Sequence, residues 1–190
     1  MLDSKQQPNQ ALFLDRDGVI NYDYGYVHEI NNFKFYAGIF TLAKTASEQG
    51  YKIVVVTNQA GIGRGLYSEN CFKELTNWMC SQFQDNGVTI DKIYFSPYHP
   101  IDGIGKYKKE HSFRKPNPGM LLQAQKDLNL NLRNSIMIGD KLSDMQAGRA
   151  AGIQKNFLFT ADVLDIKNDN YETINSLEDA TEYLLSNAKV

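Results

Sequence analysis

The stretch ALFLDRDG at residues 11–18 decides the fold, because a short apolar run there ends in two aspartates one residue apart. An apolar run this short cannot make a helix and predicts a buried strand. Side chains alternate along a strand, so Asp15 and Asp17 are expected on one side, with Arg16 a bystander pointing away from them. Ligands bind at the carboxyl ends of strands in an open α/β sheet. We therefore expect two carboxylates at a ligand-binding edge; the alternative is a polar turn after a core strand.

Composition and charge narrow the class of protein. The chain has 190 residues, 42% of them hydrophobic, which suits one domain with a proper core. With a net charge of -2, the chain lacks the excess of basic residues that is typical of a nucleic-acid-binding protein. Residues 1–10 are polar, and no apolar stretch has the length of a signal or membrane-spanning segment. We expect a polar extension over 1–10 and one domain over 11–190, acting as a cytoplasmic monomer without nucleic-acid or membrane partners.

Hydrophobic periodicity predicts strands alternating with helices, which indicates one doubly wound parallel α/β sheet with helices on both faces. The predicted strands are residues 11–14, 52–56, 90–95, 135–138 and 155–159. The predicted helices are residues 38–49, 68–86, 120–130, 142–151 and 176–186. Between them we expect a small hairpin or lid over 20–37, a glycine-rich connector over 59–66 and a long functional loop over 96–116. The chain from residue 161 to Ser176 is expected to be irregular.

Polar side chains follow several of these strands, and parallel strands bring such side chains to one edge. They are Asp15 and Asp17, then Thr57 and Asn58, then Asp140, with Arg114 and Lys115 preceding the helix before the fourth strand. So many carboxylates with two cations are an unusual set to bury for stability. They suit a hard divalent cation such as Mg²⁺ beside an anionic substrate.

The same residues suit phosphoryl transfer. A carboxylate such as Asp15 can attack phosphorus and form an acyl-phosphate. Asp17 can protonate the leaving oxygen and later deprotonate the attacking water. Thr57 and Lys115 can stabilise the charge on the non-bridging oxygens. The sequence therefore predicts a phosphomonoesterase with these four catalytic residues.

Four motifs in this order resemble the haloacid dehalogenase superfamily of phosphatases over about residues 12–159. They are LDRDG at 14–18, VVTN at 55–58, RKP at 114–116 and GDKLSD at 139–144. Within that superfamily, GYVHEI at 25–30, TNQAGI at 57–62, RKPNPGML at 114–121 and GDKLSDM at 139–145 resemble the D-glycero-D-manno-heptose 1,7-bisphosphate 7-phosphatases. Histidinol-phosphate phosphatases are close relatives of that family.

The resemblance implies a capless, Rossmann-like fold, Mg²⁺ as cofactor and hydrolysis of the 7-phosphate of a sugar bisphosphate in heptose biosynthesis. It implies metal ligands at Asp15, Asp17 and Asp140, and recognition of the far end of the substrate by Arg114. The implied substrate-binding residues are Asp23, Tyr24, Gly25, Tyr26, Thr57, Asn58, Gln59, Ala60, Arg114, Lys115 and Lys141. The anomer at carbon 1 and the pathway served, lipopolysaccharide core or nucleotide-activated heptose, stay open.

The loop over 96–116 departs from the family. Relatives often carry a zinc-binding Cys-x-His and then Cys-x-Cys, where this chain has SPY at 96–98 and HSF at 111–113. A structural zinc needs four nitrogen or sulfur ligands, and of these positions only His111 offers one. We expect no structural zinc. The hypothesis is that packing holds the loop instead, through Tyr98, Tyr107 and Phe113.

Alternatives remain for the function and for single residues. The substrate could be histidinol phosphate, or the fold could be a non-catalytic binding domain for a phosphate ligand. Asp144 either orients the metal site or is a helix N-terminal acid stabilised by the helix dipole, and we favour the first. The glycines at 61–65 lack the Lys-Ser/Thr of a phosphate-binding P-loop, which favours a flexible connector. The alternating tyrosines at 22, 24 and 26 are typical of an edge strand. Structural roles are expected for the histidines and cysteines, which are His28, His99, His111, Cys71 and Cys80.

Overall fold

A computed structural model describes residues 8–160 and 170–188 of the chain. The strands are β1 (Gln10–Leu14), β2 (Tyr51–Asn58), β3 (Lys92–Ser96), β4 (Ile136–Gly139), β5 (Lys155–Phe159) and β6 (Glu172–Ile174). They form one sheet in the order β3-β2-β1-β4-β5-β6, and each neighbouring pair is parallel. The strand order reverses between β1 and β4, so the predicted doubly wound sheet is confirmed and β1 lies at its switch point.

The described residues contain six α-helices. They are α1 (Ile39–Glu48), α2 (Ala60–Gly63), α3 (Glu69–Asp85), α4 (Gly119–Leu128), α5 (Leu142–Ala150) and α6 (Leu177–Ser186). No helix in residues 8–160 or 170–188 is long and apolar enough to span a bilayer.

The core lies on both faces of the sheet, as the period of two in β1 requires. Leu12 and Leu14 pack in one cluster with α1, α3 and α6. Ala11 and Phe13 pack in the other cluster with α4 and α5. All four side chains are fully buried, so β1 runs through the centre of the core.

The helix predictions from apolar spacing agree with the structure to within a few residues. Helix α1 buries the predicted face, which is Ile39, Leu42, Ala43 and Ala46. The Ser68 side chain caps α3 by accepting a hydrogen bond from the Cys71 backbone N–H, and Ser176 caps α6 in the same way. Pro118 is the residue before α4 rather than its first residue. Local capping and periodicity therefore place these helices.

Two loop predictions were wrong. The predicted connector after β2 contains the helical turn α2, whose glycines are buried. A Cβ on Gly61 would lie 2.2 Å from the Tyr67 ring, so close packing, not flexibility, needs glycine there. Residues 20–37 contain a single antiparallel bridge between Asn21 and Phe35 and a 3₁₀ turn at Ile30–Asn32, so the tyrosines do not form an edge strand. Tyr22 instead stacks on Tyr36 at 4.0 Å between ring centroids.

The chain ends also differ from expectation. The segment before Ser176 was expected to be irregular, yet it contains β6, which pairs with β5. Residues 161–169 of that segment, and residues 1–7 of the predicted N-terminal extension, lie outside the described part. Asn9 forms a parallel bridge with Leu130 and Gln10 opens β1, so pairing begins before Ala11. The division into an extension and one domain stays a prediction.

Candidate active site

A cavity of about 340 Å³ opens at the carboxyl ends of β1 and β2, beside the start of α5. Ten of the predicted site residues line it: Asp15, Asp17, Asp23, Gly25, Tyr26, Thr57, Asn58, Ala60, Lys115 and Lys141. Tyr67, Ser143 and Asp144 complete the lining. The sheet therefore brings together side chains that lie up to 129 positions apart in the chain, as the strand order requires.

A group of three carboxylates lies at this edge. Oxygen atoms of Asp15, Asp140 and Asp144 are within 4.8 Å of one another. Burial raises the pKa of Asp15 to about 7; Lys115 opposes that rise, and the neighbouring aspartates add to it. Burial likewise raises the pKa of Asp140. The Oδ1 atom of Asp140 is buried without a hydrogen-bond partner among the described residues. Clustered, partly unsatisfied carboxylates of this kind fit a divalent cation.

Gly18 leaves the space for Asp140. Its φ of +89° is a conformation that favours glycine, and a Cβ there would lie 2.3 Å from the Asp140 carboxyl carbon. The DRDG motif thus combines two requirements, the pair of acids and a close approach of the backbone to a third acid. Any side chain at position 18 would displace Asp140.

Lys115 is the buried cation of the site, with 3% of its surface exposed. Its Nζ lies 3.0 Å from Asp15 Oδ2 and 2.6 Å from Asp144 Oδ1, and it donates to the Val56 carbonyl at 2.8 Å. Burial opposes the charged form, but the two carboxylates raise the pKa of Lys115 overall. The Asn58 side chain holds the backbone of Lys115 through hydrogen bonds at 3.0 and 3.1 Å. The lysine is thus fixed beside the predicted nucleophile.

Asp144 is an acid at the start of a helix, as one of the two roles considered for it requires. Its Oδ2 accepts a hydrogen bond from the Lys141 backbone N–H at 3.0 Å, which caps the start of α5. Its Oδ1 pairs with Lys115, and its carboxylate belongs to the acidic group. One oxygen thus caps the helix and the other faces the buried lysine, and the role of Asp144 in orienting the metal site stays a prediction.

Asp17 is held by a different set of partners. Its Oδ1 accepts hydrogen bonds from Arg16 Nη2 at 2.8 Å and from Asn21 Nδ2 at 3.0 Å. Its Oδ2 accepts from Arg16 Nη2 at 2.8 Å and from Gln59 Nε2 at 2.9 Å. The carboxylate of Asp17 is not one of the three in the acidic group. Its role as a metal ligand stays a prediction.

The expectation that Arg16 is a bystander was wrong. The side chain turns back onto Asp17, is 2% exposed, and also donates to the Val27 carbonyl at 2.6 Å. Its guanidinium lies about 6 Å from the rings of Phe33 and Phe72. Strand alternation failed here because β1 ends at Leu14, and the residues that follow it turn. The sequence did contain a signal for this ion pair, because Arg16 lies between two acids.

The loop after β1 contributes one wall of the cavity. Asp23 accepts from the Gly25 backbone N–H at 2.9 Å and pairs with Lys141 Nζ at 3.1 Å. Burial alone would raise the pKa of Asp23, but the hydrogen bonds from Gly25 and Lys141 lower it overall. Lys141 also lies 3.3 Å from Asp140, and these acids raise the pKa of Lys141 despite its partial burial. This wall is thus joined to the acidic group by an ion-pair chain.

Three predicted substrate-binding residues do not line this cavity. Tyr24 is 64% exposed and faces a neighbouring cavity of about 480 Å³ that Asp140 also lines. Arg114 donates to the Tyr98 carbonyl at 3.1 Å. Gln59 is buried and makes its hydrogen bonds within the protein. Their roles at the substrate stay predictions.

Aromatic contacts run through the loop over 96–116. Tyr98 stacks on His111 with 3.9 Å between ring centroids, and His111 meets the edge of Phe113 at 5.4 Å. Tyr98 also approaches Tyr107 at 6.1 Å. These contacts support the hypothesis that packing holds the loop, because they use the residues that replace the expected zinc ligands.

Comparison with known proteins agrees with this geometry. A family model described as HAD-hydrolase-like matches residues 112–161. Over 150 residues, the chain is 58% identical to the D-glycero-alpha-D-manno-heptose-1,7-bisphosphate 7-phosphatase of Burkholderia mallei, covering 79% of each chain. The chain belongs to the heptose-1,7-bisphosphate 7-phosphatase family.

Two further members of this phosphatase family extend the match. The D-glycero-beta-D-manno-heptose-1,7-bisphosphate 7-phosphatase of Vibrio cholerae is 47% identical over 178 residues, covering 92% of this chain and 96% of that one. The crystal structure of D,D-heptose 1,7-bisphosphate phosphatase from B. bronchiseptica, complexed with magnesium and phosphate, superposes with a TM-score of 0.81. It is 25% identical, covering 94% of this chain and 99% of that chain. The family resemblance seen in the motifs is confirmed.

Proposed function

We propose that this chain is a Mg²⁺-dependent phosphomonoesterase that removes the 7-phosphate of D-glycero-D-manno-heptose 1,7-bisphosphate through an aspartyl-phosphate. One observation carries the proposal: Asp15 lies in a cavity beside Lys115 and two further carboxylates, in a chain of this family. A buried nucleophile paired with a fixed cation is the arrangement that phosphoryl transfer needs.

Asp15 and Asp140 are the residues we propose to hold Mg²⁺, with Asp17 as the further ligand that the family implies. The unpartnered Oδ1 of Asp140 and the excess of carboxylates over cations support this assignment. When bound, the ion offsets negative charge on the phosphoryl oxygens. Both oxygens of Asp144 are engaged, one by the Lys141 backbone N–H and the other by Lys115, so we propose that its part is to orient that lysine and the acidic group.

In the first step, an Asp15 carboxylate oxygen attacks the phosphorus of the substrate's 7-phosphate. The bond between phosphorus and the sugar oxygen breaks, its electron pair stays on that oxygen, and Asp17 gives the oxygen a proton. Lys115 and the Thr57 hydroxyl stabilise the charge on the phosphoryl oxygens. The products are the sugar 1-phosphate and phosphorylated Asp15.

In the second step, water attacks the phosphorus of the aspartyl-phosphate. Asp17, now a carboxylate, accepts the proton that the water loses. The bond between phosphorus and the Asp15 oxygen breaks, which restores the Asp15 carboxylate and releases inorganic phosphate. Protons and charges balance over the two steps because Asp17 ends in the state in which it began.

Arg114 is the residue we propose for the remote phosphate on carbon 1. A guanidinium group suits a phosphate because it offers several N–H donors in a fixed fork. Arg64 lies near enough to lower the pKa of Arg114, although burial is the larger cause. Arg64 is itself paired with Asp102 at 2.6 Å, so Arg114 is the cation that we propose to meet the second phosphate. Arg114→Met is expected to raise KM for the bisphosphate at least tenfold while leaving KM for a monophosphate within about twofold.

The test of the proposal is an activity panel. Phosphate release is measured with Mg²⁺ on the α and β anomers of heptose 1,7-bisphosphate and on histidinol phosphate. One relative is named for the alpha anomer and another for the beta anomer, so the two anomers are assayed separately. A higher kcat/KM for histidinol phosphate would overturn the sugar assignment. Binding of all three compounds without phosphate release would instead support a non-catalytic binding domain.

Two further expectations concern the compartment and the oligomeric state. We propose the cytoplasm as the compartment and a monomer as the working form. Fractionation of cells and light scattering of the purified protein check these two statements. Neither is needed for the chemistry, because the residues of the site come from one chain.

A further inference from the structure

A buried hydrogen-bond chain leads from Tyr67 to Asp17. The Tyr67 hydroxyl donates to Gln59 Oε1 at 2.6 Å. The Gln59 Nε2 donates in turn to Asp17 Oδ2 at 2.9 Å and to Thr57 Oγ1 at 2.8 Å. Gln59 is 1% exposed and does not line the cavity. These contacts place Gln59 behind the site, in contact with two of its residues.

The orientation of the Gln59 amide follows from its neighbours. A flipped amide would point its oxygen at the Asp17 carboxylate, and both groups are acceptors. The Tyr67 hydroxyl secures the other orientation, because it donates to Oε1 and so turns Nε2 toward Asp17. One phenolic hydroxyl therefore decides which end of a buried amide meets the carboxylate.

The Tyr67 ring is itself fixed on several sides. It stacks on His28 with 4.8 Å between ring centroids and 5° between planes. Gly61 packs against its Cε1 so closely that a Cβ would not fit. His28 belongs to the same loop as Gly25 and Tyr26, which line the cavity. The hydroxyl thus has little freedom to leave Gln59.

The other side of Asp17 has its own support. Arg16 and Asn21 bind its oxygens, and Arg16 is anchored to the Val27 carbonyl. Arg16 binds both oxygens, Asn21 binds Oδ1 and Gln59 binds Oδ2, so these contacts together set the carboxyl plane of Asp17. Removing the Gln59 bond would leave Oδ2 held by Arg16 alone, which loosens the setting of the carboxyl plane at the reacting group.

We propose that Tyr67 and Gln59 are positioning residues that set the Asp17 carboxyl for proton transfer to the leaving oxygen. The proposal rests on the proposed acid–base role of Asp17. It also reassigns Gln59, because the family resemblance places that residue at the substrate and its hydrogen bonds place it behind Asp17. General acids contribute about 10²–10⁴-fold in rate, so partial misplacement has a measurable effect.

The experiment uses the dependence on the leaving group. A sugar alkoxide needs a proton to leave, whereas the nitrophenolate of p-nitrophenyl phosphate leaves readily without one. The measurement is the ratio of kcat/KM for heptose 1,7-bisphosphate to kcat/KM for p-nitrophenyl phosphate. This constant covers the steps up to the first release of product, so it reports the transfer that Asp17 assists.

Tyr67→Phe is the main variant, and Tyr94→Phe is its matched control. Both tyrosines are 9% exposed, and each loses one hydrogen bond, since the Tyr94 hydroxyl donates to Asp127 Oδ2 at 2.8 Å, away from the cavity. We expect Tyr67→Phe to lower the ratio about tenfold and Tyr94→Phe to leave it within about twofold. Gln59→Met, which keeps the volume, is expected to lower the ratio by at least as much as Tyr67→Phe.

Asp17→Asn separates this inference from the proposed function. We expect it to lower the ratio by about 100-fold or more. If it does so while Tyr67→Phe and Gln59→Met leave the ratio unchanged, the positioning role is overturned and the proposed function stands. An unchanged ratio in Asp17→Asn would overturn both. Equal losses on the two substrates in the Tyr67 and Gln59 variants would show a general effect on phosphoryl binding or folding, and would also overturn the inference.

Discussion

Lys115→Met tests how the buried charges of the site are balanced. In the folded chain the Lys115 Nζ lies between Asp15 and Asp144, and side chains of all three residues are at least nine-tenths buried. Removal of one partner from a buried ionic cluster costs about 3–5 kcal/mol, because the remaining charges stay desolvated. A change of 1 kcal/mol shifts Tm by about 2–4 °C in a chain of this size. We therefore expect Tm to fall by about 6–20 °C in chelator.

The pH dependence of this loss has a definite sign. Burial raises the pKa of Asp15 to about 7 from 3.8, and Lys115 opposes that rise. The folded state thus keeps a proton that the unfolded chain releases, so stability falls as pH rises through this interval. Without Lys115 the pKa of Asp15 rises further. The difference in Tm between wild type and variant should be larger at about pH 8 than at about pH 5.

Lys52→Met is the matched control, and thermal unfolding followed by circular dichroism in chelator is the assay. Lys52 also pairs with an aspartate, Asp91, at 2.9 Å, but its side chain is 40% exposed. Exposed pairs contribute about 0–1 kcal/mol, so this variant should lose only a few degrees at most. The reasoning fails if Lys115→Met unfolds no more easily than Lys52→Met, or if the difference narrows as pH rises.

Three further predictions concern the metal site and the loop. Gly18→Ala should weaken Mg²⁺ binding at least tenfold in calorimetry. The control is Gly50→Ala, which has a similar φ but open space around the added Cβ and should bind Mg²⁺ normally. Equal affinities in the two variants would contradict the close approach of Gly18 to Asp140. The rise in Tm on adding Mg²⁺ should be larger at about pH 8 than at about pH 5, because protons compete with the ion for Asp15, and the opposite order would contradict this. Chelator-washed protein should contain less than about 0.1 equivalents of zinc by elemental analysis; a stoichiometric amount would refute the expectation that packing replaces zinc.

Much of the fold was predictable from local pattern. The strand at Lys155–Phe159 and the buried face of α1 agree with the prediction residue for residue. Strand β6 was missed because it has three residues, too few for periodicity to separate it from loop. Helix α2 was missed because glycine usually marks a turn, whereas Gly61 here allows close packing against Tyr67.

The sequence by itself determined the chemistry of this protein. Asp15, Thr57, Lys115 and Asp140 were predictable as one site, because parallel strands must end at the same edge. Their types and order also carried the family, which comparison confirmed.

Only the tertiary structure decided how Asp17 is held. Gln59 lies 42 positions from Asp17, and Tyr67 reaches it through a second hydrogen bond. Arg16 was expected to point away, yet it binds Asp17 because the strand ends before it. Hydrogen bonds between distant segments leave no period in a sequence, since they depend on where the packed sheet places each side chain.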